Sequence, residues 1–317
     1  MNRSIPTFKD IKQAQKRIES YAHTTPVLTS RQINERSGGS IFFKCENFQR
    51  VGAFKFRGSL NAILQLDEED AANGVATHSS GNHAQAVALA AKIRGIKAHI
   101  VMPENSPQVK VNAVRDYGAD IRFCESTLKA REETLEKVVV QTGAHFIHPY
   151  NDARIIAGQG TAALEFLEAH TDLDIILAPV GGGGLMSGTA IAAKHVSPDI
   201  LAIGAEPEQA NDAWESFHSG KLVPVKNPDT IADGLRTSLG PLTFQAIREN
   251  VDDIVTVSEK SIIEAMRFIW ERMKIIIEPS CAVPLAAIFE GKVELNGRKA
   301  GIIISGGNVD LDALPWN

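Results

Sequence analysis

Hydrophobic and polar residues follow one another along the chain in two kinds of block. Short apolar runs of strand length, such as GVATHSS from Gly74 and DIILAPV from Asp174, precede longer runs with helical spacing, such as NHAQAVALAAKIRG and MSGTAIAAKHV. Strands that alternate with helices in this way are typical of parallel α/β sheets. The pattern therefore predicts an α/β protein with two open, mostly parallel lobes.

The same pattern predicts a division into two domains. Residues 74–150 contain four predicted strands separated by three predicted helices, which indicates a compact small domain. A second α/β set follows, including a helix predicted from Gly160 over GTAALEFLEAH, and a signal weakened by prolines between 207 and 248. We expect a large domain made of residues 1–67 and 151–317, with the domain of residues 74–150 inserted in it.

Composition and charge narrow the class of protein. Of 317 residues, 44% are hydrophobic and 22% are charged, as in ordinary globular proteins, and the net charge is −5. Neither this charge nor any basic run favours a nucleic-acid partner. Cys45, Cys124 and Cys281 are too few and too widely spaced for a disulfide framework or a paired zinc site.

The start of the chain bears on location. MNRSIPTFKD lacks the apolar core of a signal peptide, and no stretch reaches the ~20 apolar residues of a membrane span. Together with buried thiols expected in a reducing compartment, this predicts a cytoplasmic protein without a membrane partner.

Three turns at predicted strand ends could carry chemistry, because open α/β sheets bind ligands there. The loop GGGG after DIILAPV leaves backbone N–H groups free to surround a phosphate at a helix start. It lacks the Lys-Ser/Thr pair of a Walker A motif and fits no G-x-G-x-x-G register, which disfavours ATP hydrolysis and NAD binding. The alternative is a tight turn without a ligand.

The other two turns offer polar side chains. In HSSGNH, the hydroxyls of Ser79 and Ser80 and the amide of Asn82 can bind a carboxylate at a helix start, or a serine can cap that helix. In SGGN, the Ser305 hydroxyl can meet a ring nitrogen, unless the segment is an ordinary turn. His78 and His83 lack the partners of a metal site, so structural roles are expected.

Lys55 stands between two aromatic residues in VGAFKFRGSL. If this segment is a strand, alternation places Lys55 in solvent, opposite Phe54 and Phe56. If the lysine is partly desolvated instead, its pKa falls, and the neutral amine can attack a carbonyl to form a Schiff base. The decapeptide alone leaves both interpretations open.

Taken together and in order, GAFKFRG, HSSGNHAQA, GGGGL, IADG and SGGN resemble the fold type II pyridoxal-phosphate (PLP) enzymes, in particular the threonine dehydratase and serine racemase family. The match spans nearly the whole chain. The resemblance implies PLP in the cleft between the two lobes, a small amino acid as substrate, and a homodimer.

The resemblance also implies roles for individual residues. Lys55 corresponds to the lysine that binds the cofactor covalently and acts as the base at Cα, and Ser80 to a second proton carrier on the opposite face. The cofactor pocket would further contain Phe54, Asn82, Gly181, Gly182, Gly183, Gly184, Gly234, Glu278 and Ser305. The substrate loop would consist of Ser79, Ser80, Gly81, Asn82 and His83.

This chemistry predicts a dehydratase. A neutral hydroxyl at Ser305 does not require a protonated ring nitrogen, so the negative charge at Cα is less stabilised and a β-hydroxyl leaves readily. We therefore expect elimination of water from L-threonine or L-serine to a 2-oxo acid and ammonia. Serine racemisation and dehydration of 3-hydroxyaspartate are the alternatives within the family, and a non-catalytic sensor of amino acids or nucleotides is the alternative outside it.

Further positions match family sites. In AEPEQANDAWES, the carboxylates of Glu206 and Asp212 and the carbonyl of Ala210 resemble a site for Mg²⁺ or Ca²⁺, with a solvated acidic loop as the alternative. Gln85 and Tyr117 fit the nucleotide site of the animal racemases.

Three other positions bear on how far the resemblance reaches. Tyr150 replaces an Asn of the animal racemases, which argues against nucleotide activation. Arg131 matches a conformation-sensing arginine of the racemases, and an exposed helix arginine is the alternative. Cys281 and Ala282 occupy positions where relatives often have Gly or Ala.

Overall fold

Ten strands form two sheets in the computed structural model, which describes residues 4–316. The strands are β1 (Val27–Thr29), β2 (Ser40–Cys45), β3 (Val75–His78), β4 (Ala98–Pro103), β5 (Asp120–Cys124), β6 (His145–Phe146), β7 (Ile175–Pro179), β8 (Leu201–Pro207), β9 (Asp253–Val257) and β10 (Lys299–Ile304).

Helices connect most of these strands. They are α1 (Phe8–Ile18), α2 (Arg31–Ser37), α3 (Lys55–Leu64), α4 (Glu68–Ala72), α5 (Asn82–Arg94), α6 (Gln108–Asp116), α7 (Leu128–Thr142), α8 (Ala153–Ala169), α9 (Gly184–Val196), α10 (Asp212–Ser219), α11 (Pro241–Asn250), α12 (Glu259–Met273) and α13 (Pro279–Phe289). Asp152 and Ser258 cap α8 and α12 with their side chains, which supplies acceptors for the free N–H groups of the first turn.

The smaller sheet has the order β5-β4-β3-β6, and all its strands are parallel. Its central strand β4 is buried along its whole length, as expected for a parallel strand covered by helices on both faces. All four strands lie between residues 75 and 146, within the predicted small domain.

The larger sheet has the order β1-β2-β10-β7-β8-β9. Only β1 and β2 pair antiparallel, and Ile302 of β10 lies opposite Phe43 of β2 and Leu177 of β7. The second strand of the chain, β2, therefore pairs with the last one, β10. The predicted architecture of two mostly parallel α/β lobes is confirmed, while the domain boundaries stay a prediction, and residues 1–3 and 317 lie outside the described residues.

The structure corrects two predictions of secondary structure. Lys55 is the first residue of α3, so the strand interpretation of VGAFKFRGSL is wrong. Helix α8 begins at Ala153 and not at Gly160. Glycines inside α8 permit close helix packing: a Cβ on Gly158 would lie 2.6 Å from the Cα of Gly58 on α3.

A buried ionic network fixes α3 against α8 and against the end of β2. The Arg57 guanidinium donates to both oxygens of Glu46 and to both oxygens of Glu165, over 2.8–2.9 Å. Lys44 also donates to Glu165, at 2.7 Å. Because Arg57 and Glu46 are fully buried, each depends on the other for its hydrogen bonds.

Among the described residues, no helix has both the length and the apolar character needed to cross a membrane.

Candidate active site

The three turns singled out in the sequence are joined by a chain of contacts that also includes Lys55. The Lys55 ammonium donates to the Pro149 carbonyl at 2.9 Å, and a Cβ on Gly182 would overlap the ring of the neighbouring Tyr150. On the other side, the Phe54 N–H donates to the Ser305 carbonyl at 2.9 Å. In each sheet the parallel strands bring their carboxyl ends to the same edge. The turn after β3 in the smaller sheet contacts the turn after β10 in the larger sheet, because Asn308 donates to Asn82 at 2.8 Å.

Lys55 is a half-buried cation without a counterion. No described carboxylate forms an ion pair with it, and its ammonium lies 5.1 Å from the centroid of the Phe54 ring. Burial lowers the pKa of Lys55 to about 8, and the charge of Glu278 opposes this shift in part. An amine with this pKa is partly neutral at physiological pH, which is the condition for attack on a carbonyl.

The glycine loop between β7 and α9 has no room for side chains. Gly183 has φ +83°, and a Cβ on Gly182 would lie 2.2 Å from the Tyr150 ring. Helix α9 begins at Gly184 without a side-chain cap, so its first N–H groups are open to an anion. This donor set fits the phosphate of PLP, as the lysine fits its aldehyde.

Hydrogen bonds within the Ser-Gly-Asn turn and from neighbouring segments fix its position. The Ser79 hydroxyl accepts from the Gly81 N–H at 3.2 Å, and no side chain caps α5, so the alternative role of a serine cap is wrong. Asn82 donates to both oxygens of Glu278 at 3.0 Å and accepts from Asn308 at 2.8 Å. The turn therefore presents free helix N–H groups on a fixed support.

His83 is placed in the core beneath this turn. Its ring nitrogens lie 3.2 Å from the Ile147 carbonyl and 3.4 Å from the Ser59 hydroxyl. Burial and the nearby Lys55 charge lower the pKa of His83 well below its usual value. Its ring thus has the structural role expected for a satisfied histidine.

A second basic group of residues lies beside Lys55, formed by His78 at the end of β3, His148 after β6, and Arg131 on α7. The Nδ1 of His78 and the Nε of Arg131 are buried without a hydrogen-bond partner. Burial lowers the pKa of both histidines to about 4, helped by the Arg131 charge on His78 and by His78 on His148. We call these three residues the basic corner. Because both histidines are then neutral near pH 7, the positive charge of the basic corner is that of the Arg131 guanidinium.

Three residues at the start of α13, its N-cap included, each contact a different part of the site. Glu278 accepts from Asn82, the Ser280 hydroxyl accepts from the Gly234 N–H at 3.2 Å, and Cys281 contacts Ser305 at 3.3 Å. Gly234 in turn lies beside the glycine loop between β7 and α9, because a Cβ on Gly181 would lie 3.0 Å from the Gly234 carbonyl. Burial raises the pKa of Glu278 to about 7.

The two carboxylates of the predicted metal site, Glu206 and Asp212, lie close enough to interact. Ala210 ends the short 3-10 helix between them, and the role of its carbonyl stays a prediction. Glu206 accepts from the N–H groups of Ala213 and Trp214, Asp212 accepts from that of Leu239, and the second oxygen of Asp212 is buried without a partner. Burial raises the pKa of Glu206 well above its usual value, and the charge of Asp212 adds to this shift. Burial and the charge of Glu215 raise the pKa of Asp212 to about 7. An oxygen-only pair of this kind fits a divalent cation, although the described residues contain no cluster of three His, Cys, Asp or Glu side chains arranged for a metal.

The predicted nucleotide residues lie in the smaller domain. Gln85 is buried in α5, and Tyr117 is half-buried at the end of α6, which packs against α5. Their role stays a prediction.

Comparison with known proteins identifies the family. The model of the family described as "Pyridoxal-phosphate dependent enzyme" matches residues 18–306. The chain belongs to this family.

Within it, this PLP-dependent enzyme is of fold type II. It is 49% identical over 313 residues to the β-hydroxyaspartate dehydratase of Paracoccus denitrificans, covering 99% of each chain. It is 52% identical over 313 residues to the serine racemase of Dictyostelium discoideum, covering 97% of this chain and 96% of the relative. The structure of maize serine racemase superposes with a TM-score of 0.95 at 46% identity, covering 97% and 95% of the two chains. The predicted family is thus confirmed, and these relatives favour the racemase and hydroxyaspartate alternatives over a threonine dehydratase.

Sequence reasoning missed several residues of this PLP-dependent enzyme's site. His148, Ser280 and Asn308 were given no role, and each meets the site through a neighbour. His148 lies near the charges of His78 and Lys55, Ser280 accepts from Gly234, and Asn308 donates to Asn82. His148 could have been found from its position just after strand β6, because ligands bind at strand ends in open α/β sheets.

Proposed function

We propose that this enzyme dehydrates 3-hydroxyaspartate to a 2-oxo dicarboxylic acid and ammonia. The observation that carries the proposal is the basic corner, which has an arginine without an acidic partner among residues 4–316 and a buried, unpartnered imidazole nitrogen beside Lys55. A half-buried guanidinium whose Nε is buried without a hydrogen-bond partner favours an anion from outside the protein. A dicarboxylic substrate supplies one, whereas serine and threonine do not.

The two carboxylates of the substrate would be divided between two sites. The Ser79–His83 turn and the start of α5 would hold the α-carboxylate through N–H groups and hydroxyls. Arg131 would hold the β-carboxylate, with His78 donating a hydrogen bond from its buried ring. This arrangement would place the Cα of the substrate over Lys55 and would exclude water from the basic corner.

The proton transfer at Cα falls to one side chain, Lys55. PLP, when bound, supplies an electron sink that delocalises the negative charge developing at Cα. Lys55 would remove the Cα proton, since its pKa of about 8 suits a base near neutral pH. Loss of the β-hydroxyl as water leaves an enamine, and hydrolysis of its imine tautomer takes up one water and releases ammonia.

Serine racemisation is the second candidate, and Ser80 is the observation that favours it. Its side chain is half-buried in the turn and makes none of the turn's hydrogen bonds described above, whereas Ser79 is engaged with Gly81. A free hydroxyl facing Cα could return a proton on the side opposite Lys55, which one base alone cannot do.

The test compares three substrates on the PLP-loaded protein with Mg²⁺. We expect 3-hydroxyaspartate to give 2-oxo acid and ammonia with a kcat/KM at least 100-fold above that for L-serine or L-threonine. Arg131→Gln should remove this preference while leaving L-serine turnover within threefold. Arg122→Gln, an exposed arginine of the same domain paired with Asp120, is the matched control. Equal turnover of all three substrates, or D-serine as the main product, would contradict the proposal.

A further inference from the structure

Asn308 joins three segments of the site through its side chain and its backbone. Its Nδ2 lies 2.7 Å from the Val51 carbonyl oxygen and 2.8 Å from the Asn82 Oδ1, and its backbone N–H donates to Glu278. These partners belong to the segment before Lys55, to the Ser-Gly-Asn turn and to the start of α13. One half-buried side chain therefore contacts all three segments.

These contacts fix the direction in which each amide points. A backbone carbonyl only accepts hydrogen bonds, so the Asn308 atom that faces Val51 is the nitrogen, and its second proton goes to Asn82. The Asn82 atom that receives this proton is therefore the oxygen. The Asn82 nitrogen must then face Glu278, and it lies 3.0 Å from each carboxylate oxygen.

This orientation leaves one N–H of Asn82 for a ligand. The two N–H bonds of an amide diverge widely, whereas the two oxygens of one carboxylate lie close together. One N–H is therefore shared between both Glu278 oxygens, and the other has no protein partner among residues 4–316. Asn82 belongs to the predicted cofactor pocket, and the PLP ring has an ionisable oxygen beside its aldehyde. An N–H donor favours the ionised form of such an oxygen.

The backbone of Val51 is strained where it meets Asn308. Its φ is 57°, in the left-handed region that β-branched residues rarely adopt. Gly52 follows with φ +68°, and a Cβ there would lie 2.8 Å from the Asn308 Oδ1. Strain of this kind persists where the surrounding structure requires the conformation. Here the strained segment supplies the carbonyl that fixes the Asn308 amide.

Glu278 alone does not hold Asn82 in one orientation at every pH. Burial and the charge of Asp233 raise the pKa of Glu278 to about 7. An ionised carboxylate only accepts, whereas a protonated one also donates and can bind either end of an amide. Below this pKa, the contact with Asn308 still distinguishes the two orientations. The ionisable groups that face Glu278 are Asp233, Lys110, Lys55 and Cys281.

We propose that Asn308 is a positioning residue that holds the amide nitrogen of Asn82 toward the ring oxygen of the cofactor, whatever the charge on Glu278. Asn308 acts through Asn82 and keeps the ring oxygen ionised near neutral pH. The inference goes beyond the proposed function, because it needs the bound cofactor and no particular substrate.

The test is the absorption spectrum of the PLP-loaded protein. A ring with an ionised oxygen absorbs in the visible, and a ring with a protonated oxygen absorbs in the near ultraviolet. The wild type is expected to keep its visible band at both about pH 6 and about pH 8. Asn308→Ala should match it at about pH 8. At about pH 6 it should lose roughly half of the band, because protonated Glu278 accepts both orientations of Asn82.

Three further variants complete the test. Asn82→Ala removes the N–H donor, so the visible band should fall at both pH values. Val51→Gly keeps the carbonyl and removes the strain, so its spectra should match the wild type. Asn296→Ala, at an exposed asparagine of a surface turn, is the matched control. Cofactor released in alkali is measured in each preparation, so that a loss of cofactor is not mistaken for a change of band.

Equal spectra of Asn308→Ala and wild type at about pH 6 would overturn the role of Asn308. A loss of the band that is the same at both pH values would overturn it as well, because a purely structural defect does not follow the charge of Glu278. Neither result affects the proposed function, which fails instead if 3-hydroxyaspartate is turned over no faster than L-serine.

Discussion

The Lys55 ammonium donates a hydrogen bond to the Pro149 carbonyl over 2.9 Å, and this contact joins the start of α3 to the segment that follows the last strand of the smaller sheet. A carbonyl dipole compensates a buried ammonium only in part. The site therefore holds its cation at a cost to stability, and the cost is visible in the lowered pKa of Lys55.

Removing this cation should stabilise the cofactor-free protein. The pKa of Lys55 is about 8 when folded and 10.5 as a free side chain, so the unfolded state binds more protons between these values. Unfolding free energy of the wild type should therefore rise from pH 8 to 10.5. Lys55→Met should be more stable below pH 8 by at most about 3 kcal/mol, and this advantage should vanish near pH 10.5.

Urea unfolding at several pH values measures this difference, with the exposed Lys260→Met on α12 as control. A constant difference between Lys55→Met and wild type across the range would show that Lys55 keeps an ordinary pKa.

Ser80→Ala should separate the two proton transfers. We expect racemisation of L-serine to fall by about 100-fold or more, because the proton carrier on one face is lost. Deuterium from solvent should still enter L-serine with retention, since Lys55 is unchanged. Chiral chromatography and NMR of one reaction measure both quantities. Parallel loss of racemisation and exchange would point to a general defect of the turn.

Asp212→Asn should abolish stabilisation by a divalent cation. The wild type is expected to gain thermal stability as Mg²⁺ is added, by RT ln(1 + [Mg²⁺]/Kd), because the metal binds only the folded site. Glu136→Gln, an exposed acid on α7, should keep the full response. A Mg²⁺ response that survives in Asp212→Asn would place the cation elsewhere.

Arg57→Met should destabilise the protein by about 3–5 kcal/mol, because it leaves the fully buried Glu46 without its ion-pair partner. Glu165 loses one cation but keeps Lys44. Arg267→Met removes an exposed partner of Glu271 and should cost about 0–1 kcal/mol. Urea denaturation of both variants checks the contrast. Similar losses in the two would mean that the network around Arg57 is replaceable.

The strands and helices with clear periodicity were predictable from the sequence, and α13 shows why others were not. Its segment PSCAVPLAAIF is buried on nearly all sides, so it has no polar face, and it contains Pro284. A helix without a polar face gives no periodic signal. The short strand β9 lies between α11 and α12, and only two of its five residues are buried, so its apolar signal is weak.

The site could be predicted only where a residue acts by its own chemistry. Lys55 and the three turns are local motifs, and the structure places them at one edge. The basic corner depends on distances between β3, α7 and the segment after β6, which no local pattern encodes. The role of Ser280 depends likewise on a contact with Gly234, 46 positions away.

Because all three cysteines are buried, dyes can be attached at introduced cysteines to measure conformational changes of this enzyme. Cys45, Cys124 and Cys281 are buried, and burial raises the pKa of each. Thiol reagents attack exposed thiolates, so the native protein should resist labelling. One new surface cysteine on α7 and another on α12 would then accept a pair of dyes without removal of any native residue. Energy transfer between the dyes would report any change in the distance between these two helices during single turnovers.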